Sequence, residues 1–472
     1  MAPRLVVVAV LLLAAPLCSL AQAVKDDDNT LYAGVAHVNA TLPLGVPLAG
    51  YNHGDRRVPY WPIPNNTAYT TFMTPSVGVM DDTNVRCLAL RQGNTRAFIV
   101  TADAIGADGT LRKLAVVEAQ RMGSNATLET VTLHASHSHS GPGAVSPSFL
   151  WAMAPATDLL VPELQFQLAV SIGQAIVMAE KAMVPASLGV DISLLPNVTV
   201  NRRAKISPYL QPDSIDPNLG VIRVDDLKGN PLATIWNFAI HGTCFGPDNM
   251  KVSSDIMGGV NNLLVKNGGV GVTMFINADA GDIDPAPQTC QGKPNYNGAP
   301  TIANAIIKTR KAIKPSANAT FRIASEVVPF GPTNLNVTLQ RFENCTSGGP
   351  LDICTLCEVI HCDLNLHLGS SWIENAPRFT AIRFDVDGSK TLMVTMPGEP
   401  LSELGTEVRI DGVGLGFDRV LLAGYSNNHM GYFATPDEYD IGGYESQLTF
   451  WGIDTSKKVR DACRNIGAKV IN

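Results

Sequence analysis

The sequence predicts an α/β (α+β) fold, one large domain in which a mixed and largely buried β-sheet is flanked by helices. Three observations predict it. Apolar runs of strand length recur along the chain, and each breaks into a turn rich in Gly, Pro and Asp. Stretches of helical period lie between them, and helices alternating with buried strands make a layered α/β core. No fixed-period repeat, low-complexity linker or change of composition divides the chain. With 45% hydrophobic and 16% charged residues among 472, it has ample material for a single large core.

In chain order, Arg4 precedes the apolar run "LVVVAVLLLAAPLC" and then "SLAQA", where Ala21 and Ala23 form an A-x-A cleavage pattern; residues 1–23 read as a secretory signal peptide. The run is about 14 residues, short of the roughly 20 that span a bilayer, and no later run exceeds it, so no transmembrane segment is expected. "AFIVTADAIGADG" and "ETVTLHASHSHSGPG" are strand-to-loop transitions, with the helix "LRKLAVVEAQRMG", closed by Gly123, between them. "PELQFQLAVSIGQAIVMAEKAM" is a helix begun by proline. "ATIWNFAIHGTCFGPD" and "VTMFINADAGDIDP" are strand-to-loop transitions again, and "PTIANAIIKTRKAIK" is helical. "QRFENCTSGGPLDICTLCEVIHCDLNLHLGS", at about 340–370, reads as a Cys-rich insertion, and "TLMVTMPGEP" and "VLLAGYSNNHMGY" end the series of strands. The expected division is residues 1–23 as signal and 24–472 as one domain.

Seven N-x-S/T sequons, at Asn39, Asn65, Asn125, Asn197, Asn318, Asn336 and Asn344, suit a secreted or vesicular protein and belong on surface loops. Of nine cysteines, Cys18 lies in the signal, and the remaining even number suits an oxidising compartment. Cys345, Cys354, Cys357 and Cys362 are bunched and expected as disulfides; a zinc ribbon, the alternative, needs two well-separated pairs. A net charge of −7 without any Lys/Arg run argues against nucleic acid or an anionic membrane as the main partner.

Three of the nine histidines fall within "TLHASHSHSGPGA". In a strand, residues two apart share a face, so His137 and His139 point one way and His134 the other. A paired imidazole alone is a weak sign of a metal. Other strand ends supply further ligand types: His241 in "FAIHGT", Glu399 in "MPGEP" and the tyrosines of "GYFATPDEYDIGGYES". Such residues converge at the carboxyl ends of α/β sheets, and imidazole with carboxylate suits Zn²⁺.

"ASHSHSGPG", "AIHGT", "NADAGDIDP", "MPGEP" and "GYFATPDEYDIGGYE" together resemble, in order and over nearly the whole chain, the motifs of the neutral, non-lysosomal ceramidase family of zinc amidases. The resemblance implies a catalytic domain over 24–472 with zinc ligands at His137, His241, Glu399 and Tyr432. It implies that His139 hydrogen-bonds substrate, that Arg202, with Arg203 beside it, is the family's active-site arginine, and that Tyr444 donates to an oxyanion. His134 then falls to a structural role.

Two departures stand out. Where the family carries a serine, "GDIDP" has Asp284, and with the sequence running to Asn472 a short form without the family's C-terminal β-sandwich is expected. With no serine there, attack by zinc-bound water on a polarised carbonyl is the expected chemistry, with Asp284 orienting or deprotonating that water, binding a substrate amine or hydroxyl, or merely capping the turn before Pro285. Asp282 is expected to be structural. The expected activity is hydrolysis of the amide of an N-acylated, lipid-like or small hydrophobic molecule. The alternatives are a zinc esterase or acyltransferase, or an inactive zinc-containing binding protein.

Overall fold

The structure is a computed structural model that describes residues 29–56, 67–153, 157–338 and 363–471. The signal sequence, the four bunched cysteines and the sequons at Asn65 and Asn344 lie outside the described residues.

Twelve strands make two main sheets. The first eight in chain order are β1 (Tyr32–Asn39), β2 (Asn84–Gln92), β3 (Thr95–Ala102), β4 (Val131–Ala135), β5 (Val184–Leu194), β6 (Asn218–Asp226), β7 (Pro231–Phe238) and β8 (Val272–Asn277). They form one mixed sheet in the order β8-β7-β6-β5-β1-β2-β3-β4. A second sheet, which the sequence reading did not separate from the first, holds β9 (Thr320–Val327), β10 (Arg378–Val386), β11 (Ser389–Thr395) and β12 (Arg419–Ala423), in that order.

The two sheets stack face to face, and side-chain alternation shows why. In β2, Leu88 and Leu90 enter the layer between the sheets while Val85, Cys87 and Ala89 point to the outer, helix-covered face. In β7, Ala233 and Ile235 go inward, Trp236 and Phe238 outward. From the second sheet, Phe321, Ile382, Phe384, Met393, Leu421 and Ala423 fill the other side of the shared layer. Strands buried on both faces read as unbroken apolar runs, which is what "AFIV" and "MFI" are.

Helices cover both outer faces, giving a four-layer α/β/β/α stack. On the large sheet lie α1 (Gly109–Arg121), α2 (Pro162–Lys181), α3 (Asp255–Asn267) and α4 (Ala299–Ala312), and on the small one α5 (Ser402–Gly414) and α6 (Thr455–Ala468). The Asp108 carboxylate caps α1 by accepting from the amides of Thr110 and Leu111, and Gly123, at φ 90°, follows its end. α2 opens on proline as its sequence indicates. In α6, Val459, Ala462, Cys463 and Ile466 form one apolar stripe toward the small sheet.

Within the two main sheets three strand pairs are parallel: β3 with β4, β7 with β8, and β11 with β12. Each is joined through a helix, α1, α3 and α5 in turn. The loops leaving β4, β7 and β12 meet: Ser138 pairs with Gly242, and His134 with Ser426. This crossing of three loops positions the site.

Asn39, Asn125, Asn197, Asn318 and Asn336 are all exposed. No described helix is long and apolar enough to cross a membrane. Cys87 and Cys463 are buried free thiols, whereas Cys244 and Cys290 form a disulfide across 46 residues that ties the loop after β7 to the segment after Pro285. Closing a loop of that length is worth about 4 kcal/mol in chain entropy. The double variant Cys244→Ser/Cys290→Ser should therefore unfold at a lower urea midpoint, by an amount of that order when converted through the slope; an unchanged midpoint would show the bridge to be energetically idle.

Candidate metal centre

Residues from five strand ends come together. His137 and His139 follow β4, His241 follows β7, Asp282 and Asp284 follow β8, Glu399 follows β11, and Tyr425, His429 and Tyr432 follow β12. His137, His241 and Glu399 are all at most 3% exposed.

The strand argument for the H-x-H pair needs correction. β4 ends at Ala135, and His137 sits in the left-handed region at φ 66°. The loop is held instead by main-chain bonds from Ser136 N to Ala102 O and His137 N to Ala104 O (both 2.9 Å) and from His139 N to Gly242 O (3.0 Å). The imidazoles still converge, with His139 Nε2 3.1 Å from His137 Nε2. Gly242 is needed for the crossing, since a Cβ there would lie 2.4 Å from the His137 carbonyl oxygen. His134 points away as expected, toward Ser426 Oγ (2.6 Å) and Thr132 Oγ1 (2.9 Å), and burial lowers its pKa to about 3.

His137 Nδ1 lies 2.7 Å from the Ile105 carbonyl and His241 Nδ1 2.6 Å from that of Ala280. A carbonyl can only accept, so both Nδ1 atoms carry the proton and both Nε2 atoms are bare lone pairs. Those two Nε2 atoms are 3.0 Å apart, and Glu399 Oε2 stands 3.2 Å from one and 3.6 Å from the other with no hydrogen-bond donor of its own. Three acceptors facing one another in a dry pocket repel unless a cation sits among them. Burial drives the His139 and His241 pKa values well down. Burial would raise the Glu399 carboxyl, but its histidine surroundings, His429 among them, outweigh it and hold it well below the usual carboxylate range. Neutral imidazole and ionised carboxylate are the states a metal ion requires. The donor set could hold one.

Tyr432 reaches this floor through backbone pairing: Glu399–Pro400 runs parallel to Tyr432–Phe433, with Glu399 opposite Tyr432. Arg202 joins the remaining candidates. It donates to the Tyr432 phenol oxygen (3.0 Å), to the Gly281 carbonyl (2.8 Å), to Glu445 (2.7 Å) and to Asp284 (3.1 Å). Its guanidinium also lies 5.8 Å from the Tyr444 ring centre. Arg203 turns the other way, into Glu438 and Glu445, so of the two neighbouring arginines it is Arg202 that faces the cluster. The centre thus has a dry floor and an open rim, with the Asp284 side chain 33% and the Tyr444 residue 42% exposed.

Among the described residues the hydrogen bond of Asp284 is with Arg202, in a short antiparallel pairing of Ile283–Pro285 with Thr199–Asn201, rather than with an amide of its own turn. Asp282, fully buried, accepts from Ser402 N, Ser402 Oγ and Asn201 Nδ2; burial raises its pKa to about 7. It braces three segments.

Residues that sequence reasoning did not single out also belong to the neighbourhood: Tyr425, Glu445 and above all His429, whose Nε2 lies 3.2 Å from Glu399 Oε1. The signal was present, because "VLLAGYSNNHMGY" places His429 beyond an apolar strand just as "FAIHGT" places His241.

Fold and site define a mixed α/β protein with a buried histidine–carboxylate cluster, able to hold a metal ion, at the carboxyl ends of strands from two stacked sheets. The chain belongs to the neutral/alkaline non-lysosomal ceramidase family, whose N-terminal region is matched by residues 65–310. It is similar to neutral ceramidase B of Dictyostelium discoideum, 26% identical over 432 residues, covering 70% of this chain and 59% of that protein. Neutral ceramidase A of the same organism is 24% identical over 449 residues, covering 73% and 61%. The chain therefore spans about three fifths of the length of these relatives. The crystal structure of neutral ceramidase from Pseudomonas aeruginosa shares the fold, with a TM-score of 0.72 at 17% identity over 94% of this chain and 74% of that one.

If the convergent acceptors await a cation, the purified protein should carry about one metal ion per chain by elemental analysis. His241→Ala should lose it, and full metal content in that variant would remove His241 from the donor set.

Proposed function

We propose that this chain is a zinc-dependent hydrolase of the secretory pathway that cleaves the amide bond of an N-acylated lipid, ceramide being the first candidate substrate. The observation that carries the proposal is the facing of two bare imidazole Nε2 atoms 3.0 Å apart beside a partnerless carboxylate oxygen. Family membership supports the amide and the acyl chain. The exposed sequons and the Cys244–Cys290 disulfide support the compartment.

His137, His241, Glu399 and Tyr432 would hold the ion. Bound there, zinc supplies Lewis-acid polarisation of a carbonyl and lowers the pKa of water toward neutrality. The chain's own groups do the rest. Burial and the Glu399 carboxylate push the Tyr432 phenol well up, and Arg202, donating to its oxygen, opposes them in the direction that ligation needs. His139, with Nε2 turned to the floor, hydrogen-bonds the substrate beside the scissile bond. Tyr444 stands at the rim with its ring edge-on to that of Tyr432, and its phenol donates to a carbonyl oxygen that gains charge. Asp284, held by Arg202 and half open to solvent, anchors a head-group hydroxyl or amine, or takes a proton from the attacking water.

The deciding experiment is hydrolysis by zinc-loaded protein of N-acyl compounds of varied head group and chain length, with matched esters alongside. Release of fatty acid from the amides is expected. Turnover of esters alone would replace the amidase by an esterase, and no turnover by fully loaded protein would leave a binding protein.

Asp284→Asn should keep zinc and fold yet lower kcat/KM by roughly 10² or more, the usual scale for lost acid–base or anchoring help. Asp284→Ser should not restore it. Unchanged turnover per metal-loaded molecule in both variants would leave Asp284 without a part in the reaction.

A further inference from the structure

Three histidines surround Glu399, and their hydrogen bonds sort them into two kinds. His137 and His241 give their Nδ1 protons to carbonyls and turn bare Nε2 atoms inward. At His429 the arrangement is reversed. The Gly431 amide donates to His429 Nδ1 at 3.3 Å, so Nδ1 is the bare atom and the proton sits on Nε2. That nitrogen, which has no formed hydrogen bond, lies 3.2 Å from Glu399 Oε1, close to but out of line with the carboxylate oxygen turned away from the other two imidazoles. His137, Glu399 and His429 are close enough to suggest a metal site of their own, but a protonated Nε2 has no lone pair to give.

We propose that His429 is a positioning residue for Glu399: its Nε2–H attracts Oε1, so that Oε2 stays aimed at His137 and His241. His429 is itself fixed. It is 4% exposed, Trp151 packs edge-on against its ring, and Trp151 Nε1 donates to the His429 carbonyl at 2.7 Å. Gly106 closes the other side, where a Cβ would stand 2.8 Å from His429 Cδ2. A buried imidazole locked by main chain, tryptophan and glycine can fix a carboxylate rotamer, as partners behind metal ligands commonly do. The proposal rests on the metal-site reading above.

The test is the zinc affinity of full-length protein, measured by chelator competition. His429→Ala should bind zinc about 10- to 100-fold more weakly while still saturating at one ion per chain. His429→Gln, whose amide N–H reaches the same place, should recover most of that loss. Trp151→Phe keeps the ring position but drops the donor to the His429 carbonyl. It should weaken binding several-fold, and serves if the alanine variant does not fold. Wild-type affinity in His429→Ala would overturn the proposal. So would a stoichiometry that falls from two to one in both His429 variants, since His429 would then be a ligand. Wild-type protein that takes up no zinc would overturn the metal site and this role together, whereas normal uptake with unaltered variants would overturn the role alone.

Discussion

Two hydrogen bonds that point away from the site determine what it is. Because the carbonyls of Ile105 and Ala280 take the Nδ1 protons of His137 and His241, the opposite nitrogens must present lone pairs to each other. Ile105 lies in the turn after β3 and Ala280 in the turn after β8, each next in the sheet to the strand whose histidine it serves. The tautomers are therefore a property of the parallel pairs β3–β4 and β7–β8. A slip of one residue in either register would deliver a different group to the imidazole.

The third parallel pair, β11–β12, does for the carboxylate what the other two do for the imidazoles. Its strand ends carry Glu399 and Tyr432 into direct backbone pairing, and its loop carries His429 to the rear of Glu399. Around this floor Arg202 acts as a hub, with Tyr432 on the inner side and Asp284 on the outer. The arginine links the dry part of the site to its solvent face, and Glu445 beneath it, shared with Arg203, keeps it from swinging free.

Much of this was legible before the structure. The six apolar runs named as strands and the three helical stretches are found as such, because a strand covered on both faces has no polar side to interrupt its pattern. β10 was hidden for the opposite reason: "RFTAIRFDV" carries Arg383 and Asp385, which pair with each other at 2.7 Å and make a buried strand look like a surface one. The stacking of two sheets was hidden because alternation reports that both faces are covered without saying by what. At the site, histidines after strand ends were a usable sign for His137 and His241. The same sign marks His429, which follows the apolar strand of "VLLAGYSNNHMGY". That Arg202 and not Arg203 faces the floor depends on how a short 3₁₀ turn rotates, which no periodicity encodes.

The donors are split between the sheets, His137 and His241 hanging from the large one and Glu399 and Tyr432 from the small one. An ion held among them would act as a rivet through both plates of the stack. It would also impose an order on biogenesis, since a nascent chain that has folded its first sheet owns two imidazoles and no carboxylate. Durable capture of metal must wait until residues near 432 have emerged and the second sheet has closed over the first. Metal loading in this architecture would thus be a late event, and a signature that the two halves of the chain have found each other.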